Sequence, residues 1–171
     1  MRNEWLRESP PAARFLFQGD APARSAAAAV WKVPFSETAC RASCNAERAT
    51  LWLGPEEYLL WELQRPGAGH SLAELAESLR GHACSLVEVS HRQVAWEVSG
   101  PWAETILAGA CPLDLDPGQF PVDMCTRTLL AKAEIVLWRR RRQVFHLEVW
   151  RSFAPYVLEL LTEIAAGYDL A

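Results

Sequence analysis

A chain of 171 residues, half of them hydrophobic and 22% charged, has enough apolar side chains for one compact domain or two small subdomains, which excludes global disorder. Seventeen basic against twenty-one acidic side chains leave a net charge of -4, without the basic face that nucleic-acid binding requires. No apolar run approaches the roughly 20 residues that cross a bilayer, and the start Met1-Arg2-Asn3-Glu4-Trp5 has no apolar leader, so the sequence predicts a cytoplasmic protein that binds neither membrane nor nucleic acid.

Residues 1–12 read as a flexible N-terminal arm, closed by Pro10-Pro11, and 13–171 as one domain or as two subdomains of about 13–83 and 84–171. Arg14 to Gln18 predicts a strand stopped by Gly19-Asp20, and alanine-rich Ala21 to Lys32 a helix. Pro34 to Arg48 has no period and reads as loop. Thr50–Leu53 and Glu57–Leu63, separated by Gly54-Pro55-Glu56, predict strand, turn and strand. After a loop over Gln64 to Gly69, Ser71 and Glu74 form a capping-box pattern, with Leu72, Leu75, Ala76 and Leu79 on one helical face and Gly81 at the left-handed stop.

Ser85–Ser90 and Gln93–Val98 alternate with period two, so a tight hairpin about His91-Arg92 is expected, although neither residue favours a primed turn. Gly100-Pro101 opens a short helix ending at Gly109. Cys111–Val122, with three prolines, reads as loop. Thr126–Trp138 and Gln143–Trp150 read as two strands joined by the run Arg139 to Arg142, taken as a solvated turn. A last helix, with Ser152 as its cap, carries Phe153, Tyr156, Val157, Leu160, Leu161 and Ile164 on one face. Hairpins mixed with helices predict an α+β fold of mainly antiparallel sheet, and each half carries a hydrophobic hairpin beside a helix.

The search for chemistry yields no catalytic, cofactor-binding or metal site. The glycines are scattered rather than set in a phosphate-binding loop. Five cysteines, Cys40, Cys44, Cys84, Cys111 and Cys125, read as free thiols, and the Cys40/Cys44 pair has no second pair to complete a metal set. In Ser90-His91-Arg92, neighbouring strand residues point to opposite faces, which disfavours a nucleophile–base pair. Asp114-Leu115-Asp116, between prolines, reads as turn chemistry. Eight tryptophans exceed what a core of this size hides, and leftover aromatics suit an interface; Trp5, in the arm, is the expected anchor.

Several segments, in order, resemble one family. They are Leu53-Gly54-Pro55-Glu56-Glu57-Tyr58-Leu59-Leu60, Val87-Glu88-Val89-Ser90-His91-Arg92, and Gly100-Pro101 followed by Leu107 to Leu115 with its Cys-Pro-Leu-Asp-Leu tail. Arg127-Thr128 and Val149-Trp150-Arg151-Ser152-Phe153-Ala154-Pro155-Tyr156 complete the series. Over about Ala49 to Leu161 the chain is similar to the gamma subunit of heterotetrameric sarcosine oxidase. The resemblance implies a fold like the folate-binding domains of aminomethyltransferases and a non-catalytic structural role. It implies an oxidase that turns sarcosine into glycine with hydrogen peroxide, passing the one-carbon unit to tetrahydrofolate or releasing formaldehyde. Its implied partners are alpha, beta and delta subunits, which would hold FAD, FMN, NAD, tetrahydrofolate and zinc. Trp5, Ser90, His91, Arg92, Arg127 and Arg151 are then candidates for the partner interface. Two other readings stay open: a stand-alone folate-binding or one-carbon-transfer protein, and an orphan scaffold of another amine oxidase complex.

Overall fold

The computed structural model describes residues 5–63 and 71–168. Along them run β1 (Leu6–Glu8), β2 (Ala12–Gly19), α1 (Ala21–Trp31), β3 (Ala42–Cys44), β4 (Arg48–Gly54), β5 (Glu57–Leu63) and α2 (Ser71–Ser78). Then come β6 (Cys84–Glu88), β7 (Gln93–Ser99), α3 (Ala103–Ala108), β8 (Cys125–Leu130), β9 (Ala133–Arg141), β10 (Val144–Trp150) and α4 (Ala154–Ala166). The α+β, antiparallel character expected from the sequence is the one observed. The chain divides into two compact units, Pro10–Ser90 and Met1–Ser9 with His91–Ala171, rather than near residue 83.

In the Pro10–Ser90 unit the antiparallel sheet has the order β3-β4-β5-β2-β6. Phe15 and Phe17 alternate into the core with Tyr58 and Leu60 of the neighbouring strand. Helix α1 starts at Asp20, whose carboxylate accepts from Ala23 N at 3.0 Å, and stops at Lys32 in the left-handed region. Ala23, Ala27 and Trp31, four apart, form its buried stripe. Gly19 is needed for close approach, since a Cβ there would lie 2.8 Å from Phe17 Cζ and 3.0 Å from the Cβ of Ala23. The β4–β5 turn forms as expected, with Glu56 at φ 63. In α2 only part of the expected face is inward: Leu75 and Leu79 are buried, whereas Leu72 and Ala76 are exposed. Gly81 takes φ +82. The Ser71 cap and the 64–69 loop fall on side chains or residues outside those described.

Tyr58 donates its hydroxyl proton to Ser36 O at 2.8 Å, and burial pushes its phenol above its ordinary value of 10.0. Above that value the unfolded chain releases a proton that the folded chain retains, so this group costs stability as pH rises further. Urea midpoints should therefore fall more steeply between about pH 9 and pH 11 for the parent chain than for Tyr58→Phe. Parallel pH curves would refute a buried, neutral Tyr58.

In the other unit the sheet order is β1-β7-β10-β9-β8. Read from the far edge, β8-β9-β10-β7-β1 matches β3-β4-β5-β2-β6 position for position, and both units run strand, helix, three strands, helix. The weak echo in the sequence is thus a duplicated topology. The equivalent of β6 is β1, taken from the start of the chain. Leu6–Glu8 pairs with Trp96–Val98, and Ser9 N donates to Ala95 O at 2.9 Å. A flexible arm over 1–12 therefore does not describe residues 6–9 or 12: the former complete a sheet edge and Ala12 begins β2. The core gathers Trp96, Val98, Phe145, Leu147 and Val149 of the sheet under Ile106 and Leu107 of α3 and Val157 and Leu161 of α4.

Four other expectations are corrected. The Ser85–Val98 hairpin does not form: β6 pairs with β2, and β7 with β1 and β10. The connection lacks a residue suited to positive φ, which a two-residue hairpin demands. Thr126–Trp138 is two strands, turned at Ala131-Lys132, with Ala131 at φ 49 and its N–H held by Ala110 O at 2.8 Å. Arg139 to Arg141 lie in β9, and Arg139 is wholly buried. Ser152 does not cap α4, because a 3-10 turn over Arg151–Phe153 precedes that helix. Short β3 was also unsignalled in a stretch without period.

Candidate partner-binding surface

The polar groups of highest burial are engaged in holding the fold. Arg139 donates to the Glu104 carboxylate at 2.8 Å, to Arg142 O at 2.9 Å and to Leu115 O, and its guanidinium lies 4.5 Å from the Phe145 ring centroid. It thereby pins the 111–122 loop, whose Leu115 and Phe120 enter the core. In that loop the Asp114 carboxylate accepts from Asp116 N at 3.0 Å and that of Asp116 from Gly118 N at 2.8 Å, which is the expected turn chemistry. Arg48 meets Glu62 at 2.6 Å and lies 4.9 Å from the Trp31 ring centroid. His146 Nε2 and Glu148 Oε1 are 2.8 Å apart and buried. Burial pushes the Cys111 thiol above its ordinary value, against smaller lowering by hydrogen bonds from Leu113 and Thr128, which disfavours the nucleophilic thiolate. Among the described residues, no three His, Cys, Asp or Glu side chains gather as a metal site, and no helix is long and apolar enough to cross a membrane.

What remains is surface chemistry. Trp31, Trp61, Trp96 and Trp138 are buried, but Trp102 and Trp150 are 45% and 42% exposed. Trp102 stacks on Tyr168, 6.1 Å between centroids. Trp150 ends β10; just after it, Phe153 and Tyr156 are also exposed. They share the expected helical face only in part, since the inward stripe of α4 is Val157, Leu161 and Ala165.

Three of the expected interface residues converge beside Trp150. The Arg92 guanidinium lies 4.9 Å from its ring centroid. Arg151 N donates to Arg92 O at 2.8 Å, and Arg151 Nε to His91 O at 3.1 Å. These bonds arise because Trp150 pairs with Gln93 in register, bringing the residue after β10 against the residues before β7. The other three take no part in these contacts. Ser90 belongs to the Pro10–Ser90 unit, where its hydroxyl accepts from Arg14 N at 3.0 Å and donates to Glu88 at 2.9 Å. Arg127 is exposed on edge strand β8. Trp5 is half-buried against its own unit's core, its indole Nε1 enclosed without a described acceptor and its carbonyl accepting from Ser99 N at 2.7 Å. As a leftover aromatic it is displaced by Trp150 and Trp102. Trp150 is exposed at the end of β10, although His146 and Glu148, of the same parity, are buried.

The duplicated antiparallel units place the chain in the aminomethyltransferase-like fold class. It superposes on the glycine cleavage system aminomethyltransferase T from Bartonella henselae with a TM-score of 0.66 at 15% identity, over 91% of this chain and 44% of that one. The chain belongs to the sarcosine oxidase, gamma subunit family, whose family model matches residues 18–167. It is 35% identical over 122 residues to the sarcosine oxidase subunit gamma of an Arthrobacter species, covering 69% of this chain and 59% of that one. With the subunit gamma of Corynebacterium sp. (strain P-1) it shares 32% over 120 residues, covering 70% and 58%. The aligned part thus spans under two thirds of these relatives' length. A chain of the heterotetrameric sarcosine oxidase from Corynebacterium sp. U-96, solved with pyrrole 2-carboxylate, matches with a TM-score of 0.89 at 25% identity, over 97% of this chain and 85% of that one.

Proposed function

We propose that this chain is the non-catalytic, structural gamma subunit of a cytoplasmic heterotetrameric sarcosine oxidase. The observation that carries the reading is the match of nearly the whole chain to a subunit of such an oxidase. The residues are in keeping with it: the buried ionic groups hold loops and strands, and large aromatics remain on the surface. In this reading alpha, beta and delta subunits hold FAD, FMN, NAD, tetrahydrofolate and zinc. They oxidise sarcosine to glycine with hydrogen peroxide, and the one-carbon unit goes to tetrahydrofolate or leaves as formaldehyde. The present chain contributes surface and shape to that assembly.

Co-expression with the large subunits of such an oxidase, followed by gel filtration, tests this. The chain is expected to co-elute with them, and alone to be colourless and without sarcosine oxidation. Elution as a free monomer beside a fully active complex refutes it.

A further inference from the structure

We infer that the Arg92–Trp150–Arg151 surface receives an acidic segment of a larger oxidase subunit, with a carboxylate seated on the two guanidinium groups and the apolar part of the segment on Trp150, Phe153 and Tyr156. This rests on the subunit reading above. Arg92 and Arg151 are tied into the fold only through an aromatic ring and backbone carbonyls: Arg92 stacks on Trp150, and Arg151 donates to His91 O. Neither forms an ion pair among the described residues, unlike Arg7, Arg24, Arg48, Arg80, Arg139 and Arg140. Arg92 Nε is enclosed without a described acceptor.

Two uncompensated guanidinium groups on a chain of net charge -4 are local positive charge without a basic field around it. That suits one or two carboxylates and not a polyanion, because nucleic acid needs many phosphate contacts to bind. Guanidinium forks recognise carboxylates with paired hydrogen bonds, and a guanidinium stacked on tryptophan is held ready with little left to order. A second copy of this chain, docked face to face by twofold symmetry, would set arginine against arginine. Tryptophan, tyrosine and arginine together are also the residue types that dominate binding energy at interfaces.

The test uses the full chain co-expressed with its large subunits. R151E and the double variant R92E/R151E are compared with the parent by subunit titration at two salt concentrations, and by the thermal midpoint of the isolated chain. Because a few arginine and aromatic hot spots dominate binding, R151E should weaken assembly at least tenfold and the double variant a hundredfold or more. The parent's affinity should fall with salt more steeply than either variant's. If R92E exposes enough of Trp150 to lower the midpoint, R151E alone decides, since its side chain makes one bond to a carbonyl. Undiminished assembly of R151E overturns the docking surface while leaving the subunit reading intact. Failure of the parent to assemble overturns both. Loss of self-association in R151E, with large-subunit binding unchanged, puts a second copy there and also overturns the inference.

Discussion

Arg139→Ala is expected to lower the stability of the chain by about 3 kcal/mol, the size of effect seen when a buried charged group that partners others is removed. The side chain is wholly buried and bonds at once to α3 through Glu104, to the 111–122 loop through Leu115 O and to the β9–β10 turn through Arg142 O. Glu104 is 40% exposed and can be hydrated when its partner goes. The two carbonyls lose an ionised donor, and a hydrogen bond to a charged group contributes about 1.5–3 kcal/mol. One term works in the opposite direction: Arg139 Nε is buried without a described acceptor, so the parent already carries an unpaired donor. Arg139→Met, which retains the packing on Phe145 and leaves no charge to desolvate, should cost less than alanine. Urea unfolding of the three proteins checks this. A loss below about 1 kcal/mol for alanine would mean that the loop is held by Leu115 and Phe120 alone, the ordinary range for a surface substitution being about 0.5 kcal/mol.

The same arginine shows where sequence reading stops. A run of four arginines between two apolar strands has the composition of a solvated turn, and three of them are indeed exposed or half-exposed. Which one is buried depends on the irregular register between β9 and β10 at Val144/Phe145, and on acceptors more than twenty residues away. Neither is written locally. By contrast, local rules sufficed for α1, where Asp20 caps and Ala23, Ala27 and Trp31 recur every four residues, and for the β4–β5 hairpin with its Pro55-Glu56 turn. Period two also identified β6 and β7 as strands but was silent on their partners. The missing turn residue at His91-Arg92 was the one local sign that they do not pair.

The interface candidates divide along the same line. His91, Arg92 and Arg151 were singled out from separate stretches of sequence, and the β7–β10 register unites them. Ser90, one residue from His91, ends up in a different unit with its hydroxyl satisfied by neighbours. Counting tryptophans did say that some must remain outside. Trp150, at the end of β10, and Trp102, just before α3, are the ones most exposed.

Trp31→Ala should be the most damaging single change considered, at about 3–5 kcal/mol, the range for deleting a buried large aromatic. The indole closes the buried stripe of α1 and is fully enclosed. Its Nε1 donates to Ala49 O at 3.2 Å, its ring meets Phe15 edge-on at 6.1 Å, and Arg48 covers it before reaching Glu62. Alanine would leave a cavity between helix and sheet, remove the indole hydrogen bond to the Ala49 carbonyl, which also lies opposite Trp61 in the β4–β5 ladder, and remove the surface on which Arg48 lies. Against a total of about 5–15 kcal/mol for an ordinary domain, that is a large share. Trp31→Phe fills part of the cavity but supplies no donor, so it should cost less than alanine while still losing that hydrogen bond, about 0.5–1.5 kcal/mol, and the packing that the smaller ring does not restore. Hydrogen exchange gives the sharper reading, because Ala49, Phe15 and Arg48, which Trp31 touches, all lie within Pro10–Ser90. Protection should fall first in β2, β4 and β5. Unchanged exchange in those strands, with an unchanged urea midpoint, would mean that the indole is not the keystone of that core.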